Sequence, residues 1–463
     1  MKQFLKKFIG DKHFYKVVLL VAVPIMVQNG ITNLVSLLDN IMVGRIGTEQ
    51  MSGVAIVNQL MLVYNIGIFG AVSGAGIFGA QFYGKGDNEG VRYAFRFKLI
   101  VCLALSAIWM VLFLTLGGQV VQYFLHEGTD AGDIVATAEY AREYLLVVMP
   151  GMIPYAIAQS YTQTLRETGE TILPMKAGVT AVVVNLVFDY LLIYGKFGFP
   201  ELGVFGAAAA TVLSRVVECV IVIWWTHHHK EKNPFIVHAF ESLYVPARLA
   251  KQIIIKGLPL LMNETMWAAG MAVLNQTYSN RGLEVVAGLN ISGTVSNLFN
   301  VVFIAMGSAI AIMVGQLLGA GKLEEAVDTD RKMITFSVFS CFIIGTIMIL
   351  IAPLFPRIYN TSETVRKLAS EFIIVASACM PLYAFTHAAY FTLRSGGKTM
   401  VTFLFDSVYV WLVCIPLAMF LVYQTDFPIF QVYFICQLTE IVKCLIGFIL
   451  VKKRVWVNNL SAS

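Results

Sequence analysis

Long apolar runs separated by short polar connections recur from one end of the chain to the other. They lack the strict alternation of half-buried strands. Each is long enough to cross a bilayer as a helix, so they read as spanning helices and not as barrel strands. The pattern predicts twelve spans, at 17–40, 52–80, 99–124, 140–164, 175–194, 205–226, 252–279, 285–314, 333–355, 369–393, 400–423 and 428–451. Several exceed the roughly 20 residues a perpendicular crossing needs, which implies tilt or extension beyond the bilayer.

Composition agrees. Hydrophobic residues make up 58% of the 463 and charged residues 13%, about half the 25% typical of soluble domains. So few charges cannot cover a soluble surface. A secreted protein, a cytosolic enzyme and a nucleic-acid binder are excluded, and the net charge of +5 is to be read loop by loop. The seven cysteines all lie in apolar runs without a C-x-x-C pair, which argues against a disulfide framework and a metal site. The basic start followed by a long apolar run without a small-residue cleavage site reads as an uncleaved first span.

With the N-terminus placed in the cytoplasm, about 24 Lys and Arg fall in inside connections against 7 outside, so the charge rule puts both termini in the cytoplasm of a plasma-membrane protein. Arg215 and Lys443 fall inside spans. The longest polar connection, 227–251, divides the chain into an N-terminal lobe, 1–226, and a C-terminal lobe, 252–463. It reads as a cytoplasmic linker with a turn at Asn233-Pro234 and an interfacial amphipathic helix in "FIVHAFESLYVPARLAK".

The halves repeat. At an offset of 235 residues Pro24 meets Pro259, Gly47 meets Gly282, Gln81 meets Gln316, Gly84 meets Gly319, Gly86 meets Gly321 and Arg96 meets Arg331. At 228, Thr164-Leu165-Arg166 meets Thr392-Leu393-Arg394 and Gly169 meets Gly397. Six spans per half make the repeats parallel, related by a pseudo-twofold axis along the membrane normal. The expected fold is an all-α integral membrane protein of twelve helices in two six-helix lobes.

"VPIMVQNGITNLVSLLDNIMVGRIGTEQMSGVAI" in and after the first span, the paired "GAQFYGKGD" and "VGQLLGAGK", and the paired "TLRETGET" and "TLRSGGKT" resemble the multidrug and toxic compound extrusion (MATE) family. The resemblance covers nearly the whole chain, motifs in order. It looks closer to the DinF-type branch than to the NorM-type branch, because an Asp expected in span 10 of the latter is replaced by Tyr383.

A charge at the bilayer centre costs about 2.5–3.5 kcal/mol on insertion scales, so each one needs a reason. Asn185 and Asp189 are four apart on span 5 and share a face, as do Ala207 and Thr211 on span 6. In the branch resembled, the counterpart of Asp39 is held with Asn and Asp on span 5. The resemblance therefore implies a cation-coupling set of Asp39, Asn185, Asp189, Thr211 and the Ala207 carbonyl. Such a set suits Na⁺, or two carboxyls sharing a proton. Against this stand the plainer readings of Asp39 as a helix-end carboxylate and of Asp189 as a solvated one. Pro24 and Pro259 lie inside spans 1 and 7 and mark kinks, mobile or fixed. Glu264 on span 7 is the candidate substrate-cavity or coupling carboxylate, against the plainer reading of a bond to a neighbouring helix; Tyr383 and His387 on span 10 are further cavity candidates, His387 against the plainer reading of a hydrogen-bonded core residue. Arg215–Glu218 and Glu440–Lys443 are i,i+3 pairs and read as internally neutralised, leaving Asp406 unpaired in sequence. His227-His228-His229 reads as an interfacial anchor.

The expectation is a monomeric secondary transporter, not an enzyme, without catalytic residues, cofactor or resident metal. It would export amphipathic organic cations in exchange for H⁺ or Na⁺ by alternating access. Its partners are the bilayer and a small molecule, with no nucleic acid. The alternative is a flippase of lipid-linked oligosaccharide precursors from the same superfamily.

Overall fold

The computed structural model describes residues 7–124 and 134–462. The first six residues, counted above in the charge balance, and residues 125–133 of the N-terminal lobe lie outside the described residues. Everything regular in the described residues is helical, as it must be where no water can satisfy a backbone group. Among them, ten helices are long and apolar enough to cross a membrane. They are Lys12–Gly44 (span 1), Glu49–Lys85 (2), Asn88–Gln122 (3), Ile172–Tyr194 (5), Gly203–His228 (6), Leu283–Gly319 (8), Leu323–Ile351 (9), Glu363–Ser395 (10), Thr399–Gln424 (11) and Ile429–Lys452 (12).

The remaining two spans differ for identifiable reasons. Span 4 is two helices, Ile134–Val148 and Met152–Glu167, joined by a 3₁₀ turn at Met149–Gly151. Pro150 lacks the N–H that would continue the first helix. Span 7, Ala247–Ser279, is one long helix, but it carries Arg248, Lys251, Lys256 and Glu264. Span 11 departs from α geometry in its middle. Leu404–Val408 and Val410–Cys414 are π-helical, a wider turn that often marks functional sites.

The repeat is written into the turns. Gly86 (φ 79°) and Gly321 (φ 75°) take the left-handed conformation after spans 2 and 8, and Gly169 (φ 89°) and Gly397 (φ 73°) do so after spans 4 and 10. Each donates back to its own helix, Gly86 to Tyr83, Gly321 to Leu318, Gly169 to Arg166 and Gly397 to Arg394. Such helix ends favour a residue without Cβ.

By contacts the chain forms two units. One holds Met1–Met26, Ala80–Gly86 and Ile254–Ser463, as far as these are described; the other holds Val27–Gly79 and Asp87–Ile253. Span 1 changes unit two residues after Pro24. Inside the first unit the two repeat motifs meet reciprocally. A Cβ on Gly84 would collide with the Gln316 carbonyl, and one on Gly319 with the Gln81 carbonyl. These four positions exchange under the 235-residue offset, so the crossing is the same patch used twice.

The segment after span 12 is knitted onto this crossing. Trp456 is 1% exposed. Leu460 N donates to Gln81 Oε1 at 2.7 Å, Lys85 Nζ to Ser461 O at 2.6 Å and Asn459 Nδ2 to Gly319 O at 3.3 Å.

The inter-repeat connection does not contain the amphipathic helix expected there. After His228 it makes turns and a 3₁₀ turn at Pro234–Ile236, and helix resumes at Ala247. Two prolines, 234 and 246, interrupt it, and His238 is left-handed (φ 62°). Its carbonyls are claimed from outside. Arg96 donates to Ala239 O at 2.7 Å, His238 O at 2.7 Å and Tyr244 O at 3.2 Å. An arginine with five N–H donors can hold a loop in place of a helix's own bonds.

Candidate functional site

In the second unit one apolar cluster contains Val43 of span 1, Tyr144 of span 4, Ile193 of span 5 and Ala207 of span 6. This packing brings the Asp39 and Asp189 carboxyls within hydrogen-bonding reach of each other. Asp39 is half-buried and Asp189 is 0% exposed, so the alternative of a solvated Asp189 does not hold. Among the described residues, neither oxygen of Asp189 meets a donor. Two ionised carboxylates offer acceptors only. A bond between them forms once a proton sits on one of them, or a small cation lies between.

The other expected members are Thr211, Ala207 and Asn185. Thr211 Oγ1 donates to Ala207 O at 3.0 Å, so these two oxygens engage each other. Asn185 is half-buried one turn before Asp189. Sequence reasoning missed Tyr144, whose hydroxyl lies against Thr211 and in the field of Asp39, Asp189 and Arg215. Its signal was weak, because Tyr140, Arg142 and Glu143 beside it make the turn look polar.

A second polar group in this unit links spans 1, 4 and 6. Arg166 Nη2 donates to Gln28 Oε1 at 2.6 Å. Arg166 is also the strongest positive neighbour of Glu218, ahead of Arg215. The Arg215 guanidinium lies over the Tyr155 ring, 5.2 Å from its centroid. The expected self-contained Arg215–Glu218 pair is therefore part of a wider network. Nearby, Lys98 Nζ and Glu167 Oε2 form a buried ion pair at 2.5 Å, with Thr164 Oγ1 at 3.0 Å from the ammonium. Glu167 fits because Gly76 and Gly79 leave it room; a Cβ on either would run into its carboxylate.

In the first unit the centre is Asn263, beside Glu264 on span 7. Asn263 Nδ2 donates to Asp406 Oδ2 at 3.0 Å, and Ser407 N donates to Asn263 Oδ1 at 3.2 Å. Tyr390 OH donates to Glu264 Oε1 at 3.3 Å. Lys443 Nζ bonds Asp406 Oδ1 at 2.6 Å. Two readings are corrected here. Asp406 is not unpaired, and Lys443 pairs with it across helices, not with Glu440 on its own helix. Glu440 Oε2 finds no donor.

Of the other cavity candidates, His387 stacks near Tyr390 and against Phe303 and Phe391. Tyr383 donates to Gln437 at 2.5 Å and faces span 12, apart from Glu264. Pro24 and Pro259 lie inside continuous helices. His228 and His229 each bond a carbonyl one turn back, and His227 bonds Tyr161 at 3.1 Å.

The MatE family profile matches the chain twice, over residues 24–191 and 259–423. The matches start at Pro24 and Pro259, which are related by the 235-residue repeat. The "Probable multidrug resistance protein NorM" of Thermotoga maritima is 26% identical over 412 residues, 87% of this chain and 84% of that protein. Its namesake from Halalkalibacterium halodurans is 24% identical over 405 residues, 87% of this chain and 86% of that one. These names overturn the DinF-type placement. That placement rested on a few ionisable positions, whereas the relatives match along most of the chain. A solved structure described as MATE in the straight conformation superposes with a TM-score of 0.86 at 20% identity, covering 97% of both chains. The fold is thus all-α, with about twelve helices in a two-lobe architecture. The chain belongs to the MatE family and is a multi-pass, ion-coupled secondary transporter that moves small organic compounds out by alternating access.

Proposed function

We propose that this protein exports amphipathic organic cations in exchange for H⁺, taken up by the Asp39–Asp189 pair. The observation that carries this is the burial of Asp189 with no donor at either oxygen among the described residues, within reach of a second carboxyl. A buried carboxylate without a partner is costly. A proton or cation arriving there therefore changes the free energy of the state that buries it, which is what coupling requires. Protons are favoured over Na⁺ because two carboxyls so close cannot both ionise cheaply, so one of them tends to hold a proton.

Span 1 would respond at Pro24, since its contacts change unit at Met26 and Val27. Solved relatives are described in bent and straight conformations, and bending at a proline costs little because one helix bond is already missing. Glu264, half-buried beneath Tyr390, supplies negative charge for the substrate cation. The protein would sit in the plasma membrane as a monomer with both termini in the cytoplasm, as its Lys and Arg distribution favours.

The test is transport of a fluorescent organic cation in proteoliposomes, with pH and Na⁺ gradients imposed separately. Transport driven by the pH gradient and lost in Asp39→Asn and Asp189→Asn, with substrate binding retained, is expected. Transport driven by Na⁺ alone would replace the proton with Na⁺. Indifference to both gradients and to both substitutions would remove the antiport reading and bring the flippase forward.

A further inference from the structure

The two repeats carry different added charges at buried positions. Under the offset of 235, Asp39 corresponds to Leu274, and under 228, Asp189 corresponds to Leu417. In the other direction Asp406 corresponds to Gly178 under 228. Lys443 corresponds to Ile221 under 222, the offset that pairs Glu218 with Glu440. The structure supports the register, because Gly178 lies against Gln28 as Asp406 lies against Asn263, and Gln28 and Asn263 are 235 apart. At these four positions the N-terminal repeat adds two acids and the C-terminal repeat an acid and a base.

The difference shows in how the oxygens are filled. Asp189 has no donor at either oxygen among the described residues. Asp406 has Lys443 on Oδ1 at 2.6 Å and Asn263 on Oδ2 at 3.0 Å. The Lys443 side chain is 7% exposed and that of Asp406 is 19% exposed. Span 11 is π-helical at Leu404–Val408, and Asp406 and the next residue, Ser407, both bond Asn263 there. The other charged or titratable groups facing this pair are His387 and Tyr390 of span 10, Glu264 of span 7, Tyr409 and Cys414 of span 11, and Glu440 and Cys444 of span 12.

We propose that Lys443 is a tethered counter-cation: it supplies to Asp406 the positive charge that the Asp39–Asp189 pair must take from outside. Ion uptake at Asp406 is thereby precluded. Lys443 is a positioning residue, acting through Asp406 and Asn263 on the network that holds Glu264. Its Nζ stands where H⁺ or Na⁺ would otherwise sit, and, being covalently attached, it cannot be released to carry a gradient. Removing it would leave a buried carboxylate that must find another cation. This inference rests on the reading that the N-terminal pair takes up the coupling ion, and the experiment separates the two.

Radioactive Na⁺ binding and dye-reported H⁺ uptake are measured on purified wild type, Lys443→Gln, Lys443→Arg, Asp189→Asn and the Asp189→Asn/Lys443→Gln double variant. The expected result is one more cation per chain in Lys443→Gln than in wild type, none more in Lys443→Arg and one fewer in Asp189→Asn. The double variant should return to the wild-type number. A folded Lys443→Gln with the wild-type number overturns the proposal. A wild-type number in Asp189→Asn, with the extra cation still seen in Lys443→Gln, overturns only the N-terminal reading. If Lys443→Gln proves too unstable to purify, its melting in membranes serves instead. It should rise with Na⁺ or acid, while that of Lys443→Gln/Asp406→Asn should not. A melt indifferent to both cations overturns the proposal.

Discussion

Thr164 and Thr392 occupy the same turn of spans 4 and 10, 228 residues apart, yet each meets a partner of opposite charge. Thr164 faces the ammonium of Lys98 on span 3, whereas Thr392 donates to the carboxylate of Asp330 on span 9 at 2.5 Å. The surroundings differ to match. Lys98, Glu167 and Gly79 of the first repeat stand where Met333, Ser395 and Val314 stand in the second. A glycine with a long carboxylate occupies the space taken elsewhere by a valine with a short hydroxyl. Backbone devices are duplicated faithfully, while buried charge is not. One scaffold can thus carry two electrostatic interiors, and coupling need not be shared between them.

The sharpest way to break this comparison is at Asp189. Asp189→Asn is expected to lower gradient-driven efflux tenfold or more, within the roughly 5–150-fold range typical of coupling energies, while substrate binding persists. Glu264→Gln, whose carboxylate already has an internal donor, should change the same rate only a few-fold. Efflux assays in imposed gradients compare the two. Equal losses, with substrate binding retained in both variants, would mean that the repeats share coupling after all.

The next largest effect falls on stability. Lys98→Met or Glu167→Gln alone leaves a fully buried charge without its partner, an expected loss of about 3–5 kcal/mol. The triple variant Gly79→Val/Lys98→Met/Glu167→Ser installs the arrangement of the second repeat. It should melt higher than either single variant in detergent. A triple variant no better than the singles would show that the two interiors are not interchangeable packings of one scaffold.

Much of this was legible in the sequence. The apolar runs predicted the spans, and the recurrence of Gly84, Gly86 and Gly169 at Gly319, Gly321 and Gly397 predicted the shared turns, because a left-handed or closely approached position tolerates little else. What a single chain hides is which helix faces which. Lys443 was assigned to Glu440 because only same-helix neighbours are visible from spacing; its actual partner comes from span 11, where the π turns shift Asp406 off the α register. Lys98 and Glu167, on different spans, were missed for the same reason. The connection at 227–251 was misread because its apolar and polar residues alternate as on a helix, whereas its carbonyls are held by Arg96.

A smaller effect tests the duplicated part. Gly84→Ala and Gly319→Ala each push a methyl into a facing backbone carbonyl that cannot move aside. Overpacking of this kind costs about 1–3 kcal/mol, and the two losses should be nearly equal because the contacts exchange under the repeat. Gly315→Ala, which meets only the Ala80 methyl at 3.1 Å, should lose less. Thermal melts of the three variants rank them. Unequal losses at Gly84 and Gly319 would show that the crossing is symmetric in position but not in energy.

The smallest expected change is at Tyr383, and it bears on where the second repeat's interior ends. Tyr383→Phe removes the bond to Gln437 and leaves one buried acceptor unfilled, a loss of about 0.5–1.5 kcal/mol. Tyr383 faces Gln437 and not Glu264, so the ion dependence of transport should be unchanged while the melting temperature falls slightly. A shifted ion dependence with unchanged stability would mean that Tyr383 acts on the Glu264 network through span 12, where Gln437 lies two turns before Lys443. Charge in the second repeat would then be less closed than the Lys443–Asp406 pair makes it.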